Sequence, residues 1–213
     1  MHYDLVIHSG TIVTSTQTYQ ADVAIQGERI AAIGHDLRGE RQIDATGKLV
    51  TPGAVDIHVH MQMPLPGGVV SSDDFSRERV PRHLAVPPRL LTLWRLNRPQ
   101  SMLDALTVRR AEADPQVVID YGLHMTIGPT EISKLDQVPL ALEAGCTSFK
   151  LYMAYGFRLN DGELLQALRA IRSVHGWPVV HAENWDVICT LIAQNKACGN
   201  VEPVGIRVAV PQS

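Results

Sequence analysis

The sequence predicts an α/β fold: a small β module, then a parallel sheet, open or closed into a barrel, with helices between its strands. Three observations predict it. Residues 3 to 50 read as short strands and tight turns, ended by Thr51-Pro52-Gly53. From residue 101 onward, strand-like and helix-like runs alternate, as a parallel sheet requires. Between them lies Val55-Asp-Ile-His-Val-His60, in which apolar and polar residues alternate with the period of a strand.

Within the β module, Asp4 to Gly10 and Thr11 to Thr14 read as strands flanking a Ser9-Gly10 turn. Ala21–Ile25 and Arg29–Ile33 flank Gln26-Gly27-Glu28, a hairpin signal, and Ile43–Val50 adds one more strand pair. In the second region, Ser101 is placed to cap a helix running to Ala113, Val117–Ile127 is strand-like, and Glu131–Glu143 is amphipathic. Thr147–Met153 reads as a strand, Asp161–Val174 as a helix with Asp161 near its start, and Pro178–Glu183 as another strand. The stretch Arg77–Arg98 does not fit. It has scattered prolines, excess arginine and no clear period, where an α/β protein needs a strand.

Composition sets broad bounds. A chain of 213 residues with 45% hydrophobic and 19% charged residues is an ordinary globular sequence, and it is short for a complete (β/α)₈ barrel of about 250 residues. The net charge of -3 gives no reason to expect nucleic acid or a membrane surface as partner. Cys146, Cys189 and Cys198 form no C-x-x-C pair and are odd in number, so reduced thiols are expected. The start of the chain lacks a basic region followed by an apolar run, and a cytoplasmic location is the expectation.

The chemistry-bearing residues fall on the strands. His58 and His60 are two apart, so in an extended strand both imidazoles point to one side and can reach one cation; two hydrogen-bonded structural histidines are the alternative. Lys150 lies inside the apolar run Ser148-Phe-Lys-Leu-Tyr-Met153. A bare ammonium is expensive to bury there, so the lysine must be neutralised, paired, chemically modified by carbon dioxide into a carbamate, or else snorkel to the strand end. His181 follows Val179-Val180 and precedes Glu183 and Asn184; it is either a neutral ligand for a second cation or a satisfied structural histidine.

Taken together, these residues resemble a known family. Gly53-Ala-Val-Asp-Ile-His-Val-His60, Ser71-Ser-Asp-Asp-Phe75, Val118-Ile-Asp-Tyr-Gly-Leu-His124, Ser148-Phe-Lys-Leu-Tyr-Met-Ala-Tyr155 and Val180-His-Ala-Glu-Asn184 are similar to the cyclic amidohydrolases of the hydantoinase and dihydropyrimidinase group, within the amidohydrolase superfamily. The resemblance implies a TIM-type (β/α) barrel, here incomplete with about five of eight strands, after the N-terminal part of a β-sandwich module at residues 1–52. It implies two divalent metals, of which zinc is the expected element. His58 and His60 would bind the first, carbamylated Lys150 would bridge both, and His181 would bind the second. Tyr155 would donate to the oxyanion formed when a metal-bridging hydroxide attacks the ring amide carbonyl of a hydantoin or dihydropyrimidine. Met63 and Leu65, on the loop after the first metal strand, are candidates to line the substrate pocket or to pack within that loop. His124 has no ligand role in the family pattern and is read as supporting or structural. Asp73 and Asp74 are read as helix caps, Glu183 and Asn184 as positioning the loop after His181, and Asp56 as sharing the inner side of the histidines.

The family pattern also calls for a histidine on the sixth strand and an aspartate on the eighth, and this chain ends at Ser213. The expectation is therefore weak or no turnover by this chain, with a non-catalytic fragment or pseudoenzyme as one alternative and an allantoinase-like cyclic ureide hydrolase as another. The family tends to form homotetramers. The codons of Glu78–Arg98 can be chosen so that reading one base earlier gives GTRAAALGGTTTAIDFVEAEP, a family-like helix and second barrel strand. The tail from Val204 can likewise give RWHPRSRP. Small insertions or deletions in the gene, or a sequencing error that mimics them, are inferred for residues 77–98 and 204–213.

Overall fold

In the computed structural model, the chain divides into two units, Met1–Ala54 and Val55–Ser213. The structure describes residues 2–53, 55–63, 68–71, 75, 89–93, 101–117 and 120–201, with only the backbone course for 89–93. Leu65, Asp73, Asp74, most of the Arg77–Arg98 stretch and the tail from residue 204 lie outside the described residues.

The first unit is one sheet built on β1 (Tyr3–Val13). β2 (Thr18–Gln26) pairs with it antiparallel, and β3 (Arg29–Gly34) returns along β2. β4 (Gly39–Asp44) and β5 (Leu49–Val50) run parallel to β1. The β2–β3 connection is the expected hairpin: Gln26 faces Arg29, and Gly27 takes φ +59, a value that a side chain strongly disfavours. The expected Ser9-Gly10 turn is not a turn. β1 runs straight through it with a bulge between Ile7 and Gly10, because Ser9 adopts φ 60 and its N–H donates to Asp22 Oδ1 on β2 at 3.0 Å. Asp22 Oδ2 also accepts from Leu37 N–H. Ile12, Ala21 and Val23 form the small core of this unit.

The second unit is a five-stranded parallel sheet whose spatial order follows the chain: β6 (Asp56–Val59), β7 (Arg89–Leu93), β8 (Tyr121–Thr126), β9 (Ser148–Tyr152) and β10 (Trp177–His181). Helices fill the connections from β7 to β10, as parallel pairing requires. They are α1 (Met102–Ala113), α2 (Val138–Glu143) and α3 (Asp161–Ser173), with α4 (Trp185–Ala197) after the last strand. Among the described residues the sheet is open, with β6 and β10 at its edges.

The irregular Arg77–Arg98 stretch does supply a strand. β7 pairs with β8 from Arg89↔Tyr121 to Leu93↔Met125, at the residues that the shifted reading frame would render TAIDF. β8 is shorter than the strand-like run in the sequence, since Val117 N–H still bonds back to Ala113 at the end of α1. The amphipathic run after it is divided: a 3-10 segment at Pro129–Gln137, broken at Lys134 (φ -124), gives way to α2, where Pro139 sits in the first turn and its missing N–H is harmless.

Local signals set the helix starts. Ser101 Oγ accepts from Asp104 N–H at 3.0 Å while Asp104 accepts from Ser101 N–H, a reciprocal cap that opens α1. Asn160 and Glu163 do the same for α3, and Asn184 Oδ1 caps α4 through Val187 N–H. Phe149 and Leu151 of β9, with Leu123 and Met125 of β8, turn to the helices and bury against Leu106, Val138, Ala167 and Ile171. The alternate residues of these strands therefore turn to the opposite face. Gly176 fixes the last strand: a Cβ there would stand 2.9 Å from Phe149 Cε2 and 3.3 Å from the Ile171 carbonyl, so only glycine lets the chain pass from α3 to β10 this closely.

Candidate metal centre

Register assembles the site. His124 pairs with Ser148, Thr126 with Lys150 and Lys150 with Val179, while Tyr152 pairs with His181; paired positions in a parallel sheet share a face. His124, Thr126, Ser148, Lys150, Tyr152 and His181 thus occupy the face opposite the helices. His58 on β6 and His60 just past its end flank Val59, which packs into the helix-side core, so the two imidazoles emerge on that same face. Their rings lie 5.2 Å apart at 64°. Val55 and Ile57, the apolar outer residues of the alternation, are exposed on this edge strand. Asp56 turns back on its own strand, accepting the His58 N–H at 3.1 Å.

Lys150 dominates the electrostatics. It is 2% exposed, forms no ion pair with a described carboxylate, and has the Tyr152 ring 5.4 Å from Nζ. Burial drives its pKa below the ordinary lysine value and so favours the neutral amine. His58 and His60 are also pushed below the usual histidine value, first by burial and then by neighbouring positive charge: Lys150 and His181 for His58, His58 and Lys150 for His60. Both rings are held neutral, the state in which imidazole binds a cation. The Tyr152 phenol is pushed up to about 12 by burial.

The loops finish the site. Ser71 Oγ donates to the His60 carbonyl and accepts from Met63 N–H at 2.9 Å, closing the turn after β6. Arg109 on α1 grips the same turn, with Nη2 donating to the Met61 carbonyl and the guanidinium 4.7 Å from the centre of the Phe75 ring. Across the site, Tyr155 sits at φ 73 and its hydroxyl donates to Glu183 Oε2 at 3.4 Å. Glu183 Oε2 also bonds His181 Nε2, and the Tyr155 and His181 rings are 5.2 Å apart. Burial and Glu183 raise the Tyr155 pKa, so its phenol keeps its proton.

No family model matches the chain. Known proteins do. The D-hydantoinase of Geobacillus stearothermophilus is 37% identical over 204 residues, which are 93% of this chain and 43% of that protein. The dihydropyrimidinase of Rattus norvegicus is 31% identical over 219 residues, 98% of this chain and 42% of that one. The solved D-hydantoinase of Bacillus sp. AR9 superposes with a TM-score of 0.85 at 34% identity, covering 98% of this chain and 46% of its own. The chain is a homologue of the hydantoinase and dihydropyrimidinase family. It spans less than half the length of these hydantoinase and dihydropyrimidinase relatives. The dihydropyrimidinase of Brevibacillus agri NCHU1002 gives the same picture, with a TM-score of 0.83, 32% identity and 46% of its chain covered.

Whether this hydantoinase homologue can hold metal is tested by its own unsatisfied groups. Among the described residues, no three His, Cys, Asp or Glu side chains converge closely enough to hold an ion. Two polar atoms on the site face are nevertheless buried without a hydrogen bond, His60 Nδ1 and Thr126 Oγ1, and Lys150, paired in register with Thr126, is buried with no ion pair to a described carboxylate. Buried polar groups left this way are uncommon, and a cation with a lysine-derived carboxylate would satisfy the set. The residues fit on that condition.

The sequence reading missed two supports. Arg109 falls on the buried stripe of α1 with Met102, Leu106 and Ala113; a charged residue on an apolar stripe was the available signal. The link from Glu183 to His181 had proximity in sequence as its signal, and the link from Glu183 to Tyr155, 28 positions away, had none.

Proposed function

We propose that this chain carries the His58, His60, Lys150 and His181 side of a binuclear divalent-metal centre, serving the hydrolytic ring opening of cyclic amides of the hydantoin and 5,6-dihydropyrimidine type. The five parallel strands are read as the opening strands of an eight-stranded (β/α) barrel, after part of a β-sandwich. Lys150 is the observation that carries the reading. A buried amine with a lowered pKa, on the same face as the ligand candidates His58, His60 and His181, is poised in its neutral form to attack carbon dioxide: the nitrogen forms a bond to carbon, one C=O electron pair moves to oxygen, and the amine proton leaves to solvent. The product is a carbamate with two oxygens, a carboxylate extended to the centre of the face. His58 and His60 would hold one cation with it, and His181 the other. When bound, two such cations, zinc by the family pattern, lower the pKa of water and polarise a carbonyl.

The chain's own residues supply the rest. Tyr155, kept protonated, would turn its O–H from Glu183 to the amide oxygen as that oxygen gains charge. Glu183 holds the Tyr155 hydroxyl beside His181. Ser71 and Arg109 fix the turn after His60 that carries Met63, a candidate to line the substrate pocket. The test uses isotopically labelled bicarbonate with zinc. A carbamate carbon signal present in the 213-residue chain and absent in Lys150→Met supports the reading; ring opening of hydantoin or dihydrouracil by this chain is expected to be weak or absent, and whatever is seen should disappear in Lys150→Met and fall in Tyr155→Phe. Loss of neither on Lys150→Met contradicts it.

A further inference from the structure

Among the described residues, His124 is the one buried histidine of the site face with both ring nitrogens engaged. It is 2% exposed, with Nδ1 at 2.7 Å from Ser148 Oγ and Nε2 at 2.8 Å from the Ile57 carbonyl. A carbonyl oxygen can only accept, so Nε2 carries the hydrogen, and Nδ1 accepts from the Ser148 hydroxyl. The ring therefore spans from β9, across β7, to β6. Its two ends are placed with consequence: Ile57 precedes the ligand candidate His58, and Ser148 is two residues before Lys150.

The Ile57 end answers a gap in the ladder. β6 pairs with β7 at Asp56 and Val59, and the register shifts between those pairs, in the stretch that holds Ile57 and His58. A carbonyl in such an interruption lacks the regular strand donor. His124 supplies one from two strands away. Ile57 lies on an edge strand with an exposed outer face, and among the described residues the other side-chain hydrogen bond to this stretch is the local one from His58 N–H to Asp56.

We infer that His124 is a positioning residue: in its Nε2–H form it braces the strand bearing His58 and His60 against the strand bearing Lys150, and so sets the separation of the metal-binding groups. The inference rests on the proposed metal centre for its consequence, though not for the brace itself. Supporting partners of metal ligands typically change metal affinity by about 10–100-fold when removed.

The experiment compares the 213-residue chain with His124→Leu, His124→Gln and Ser148→Ala. Gln keeps an N–H near the Nε2 position, and Leu keeps neither bond. Backbone amide exchange is followed without metal over residues 55–63, and zinc affinity is read by chelator competition with bicarbonate present. The brace predicts faster exchange over 55–63 in His124→Leu, with exchange in β1–β4 of the first unit unchanged, and partial return in His124→Gln. It predicts zinc binding about tenfold or more weaker in His124→Leu, and a smaller loss in Ser148→Ala. Unchanged exchange in His124→Leu overturns the brace. Faster exchange with unaltered zinc affinity overturns the positioning role. If the parent chain binds no zinc, the metal-centre reading falls, and the positioning role with it, while the exchange data still decide whether the brace exists. Should His124→Leu fail to fold, the Ser148→Ala and His124→Gln comparison carries the same decision.

Discussion

Replacing Lys150 with methionine should make the metal-free, bicarbonate-free chain more stable. The side chain is 2% exposed, meets no described carboxylate, and has the Tyr152 ring 5.4 Å from Nζ. An unsatisfied buried polar group costs about 1–3 kcal/mol by mutational measures. A desolvated cation over an aromatic face recovers up to about 2 kcal/mol, while methionine fills a similar volume without a polar atom. Taking the middle of each range, a net gain of about 1 kcal/mol follows, equivalent to a rise in melting temperature of roughly 2–4 °C for a chain of this size. The gap must also depend on pH with a definite sign. The folded-state pKa of Lys150 lies below the ordinary 10.5, so between the two values the unfolded chain binds more protons and stability rises with pH. The penalty is complete below the folded pKa and gone above 10.5, so the advantage of Lys150→Met should shrink as the solution becomes alkaline. Thermal unfolding followed by circular dichroism across that range gives both quantities. A Lys150→Met chain less stable than its parent without metal and bicarbonate, or a gap that does not close at high pH, would mean that the ammonium is already well paired and would remove the reason for carbamylation.

Three further outcomes follow from the same geometry. Because His58 and His60 titrate below 6.5 when folded, stability should fall as pH drops from about 7.5 to about 5.5, and a His58→Gln/His60→Gln chain should lose less over that interval in parallel melts. Gly176→Ala should destabilise by about 1–3 kcal/mol in denaturant unfolding, since its Cβ would meet Phe149 and the Ile171 backbone; an unchanged midpoint would show that α3 and β10 can part without loss. Arg109→Met should cost about 2 kcal/mol by stranding the Met61 carbonyl, and should quicken proteolysis of the turn after His60.

Much of this architecture was legible because it depends on short-range chemistry. The Ser101 cap, the Gly27 hairpin and the alternation around Lys150 each involve residues a few positions apart, where φ preference, capping and strand period act directly. The features that were not legible depend on distant partners. Ser9 makes a bulge and not a turn because Asp22, on another strand, holds its N–H. The Arg89–Leu93 segment becomes a strand where neighbours on both sides, β6 and β8, offer hydrogen bonds, an effect of tertiary context that overrides weak local preference. For the site, residue types and parity pointed to His58, His60, Lys150 and His181, and the structure brings them to one face. The braces behind them, His124 to Ile57 and Arg109 to Met61, join residues 67 and 48 positions apart and could not be read from spacing.

The central claim is that His58, His60, Lys150 and His181 form a single centre for divalent metal. Equilibrium dialysis against zinc with bicarbonate, followed by metal analysis of the parent chain, His58→Asn/His60→Asn and Lys150→Met, tests it most directly. The account predicts zinc retained by the parent and lost in both variants, with the parent's binding weakened when carbon dioxide is excluded. Zinc absent from the parent, or retained equally by all three chains, would contradict it.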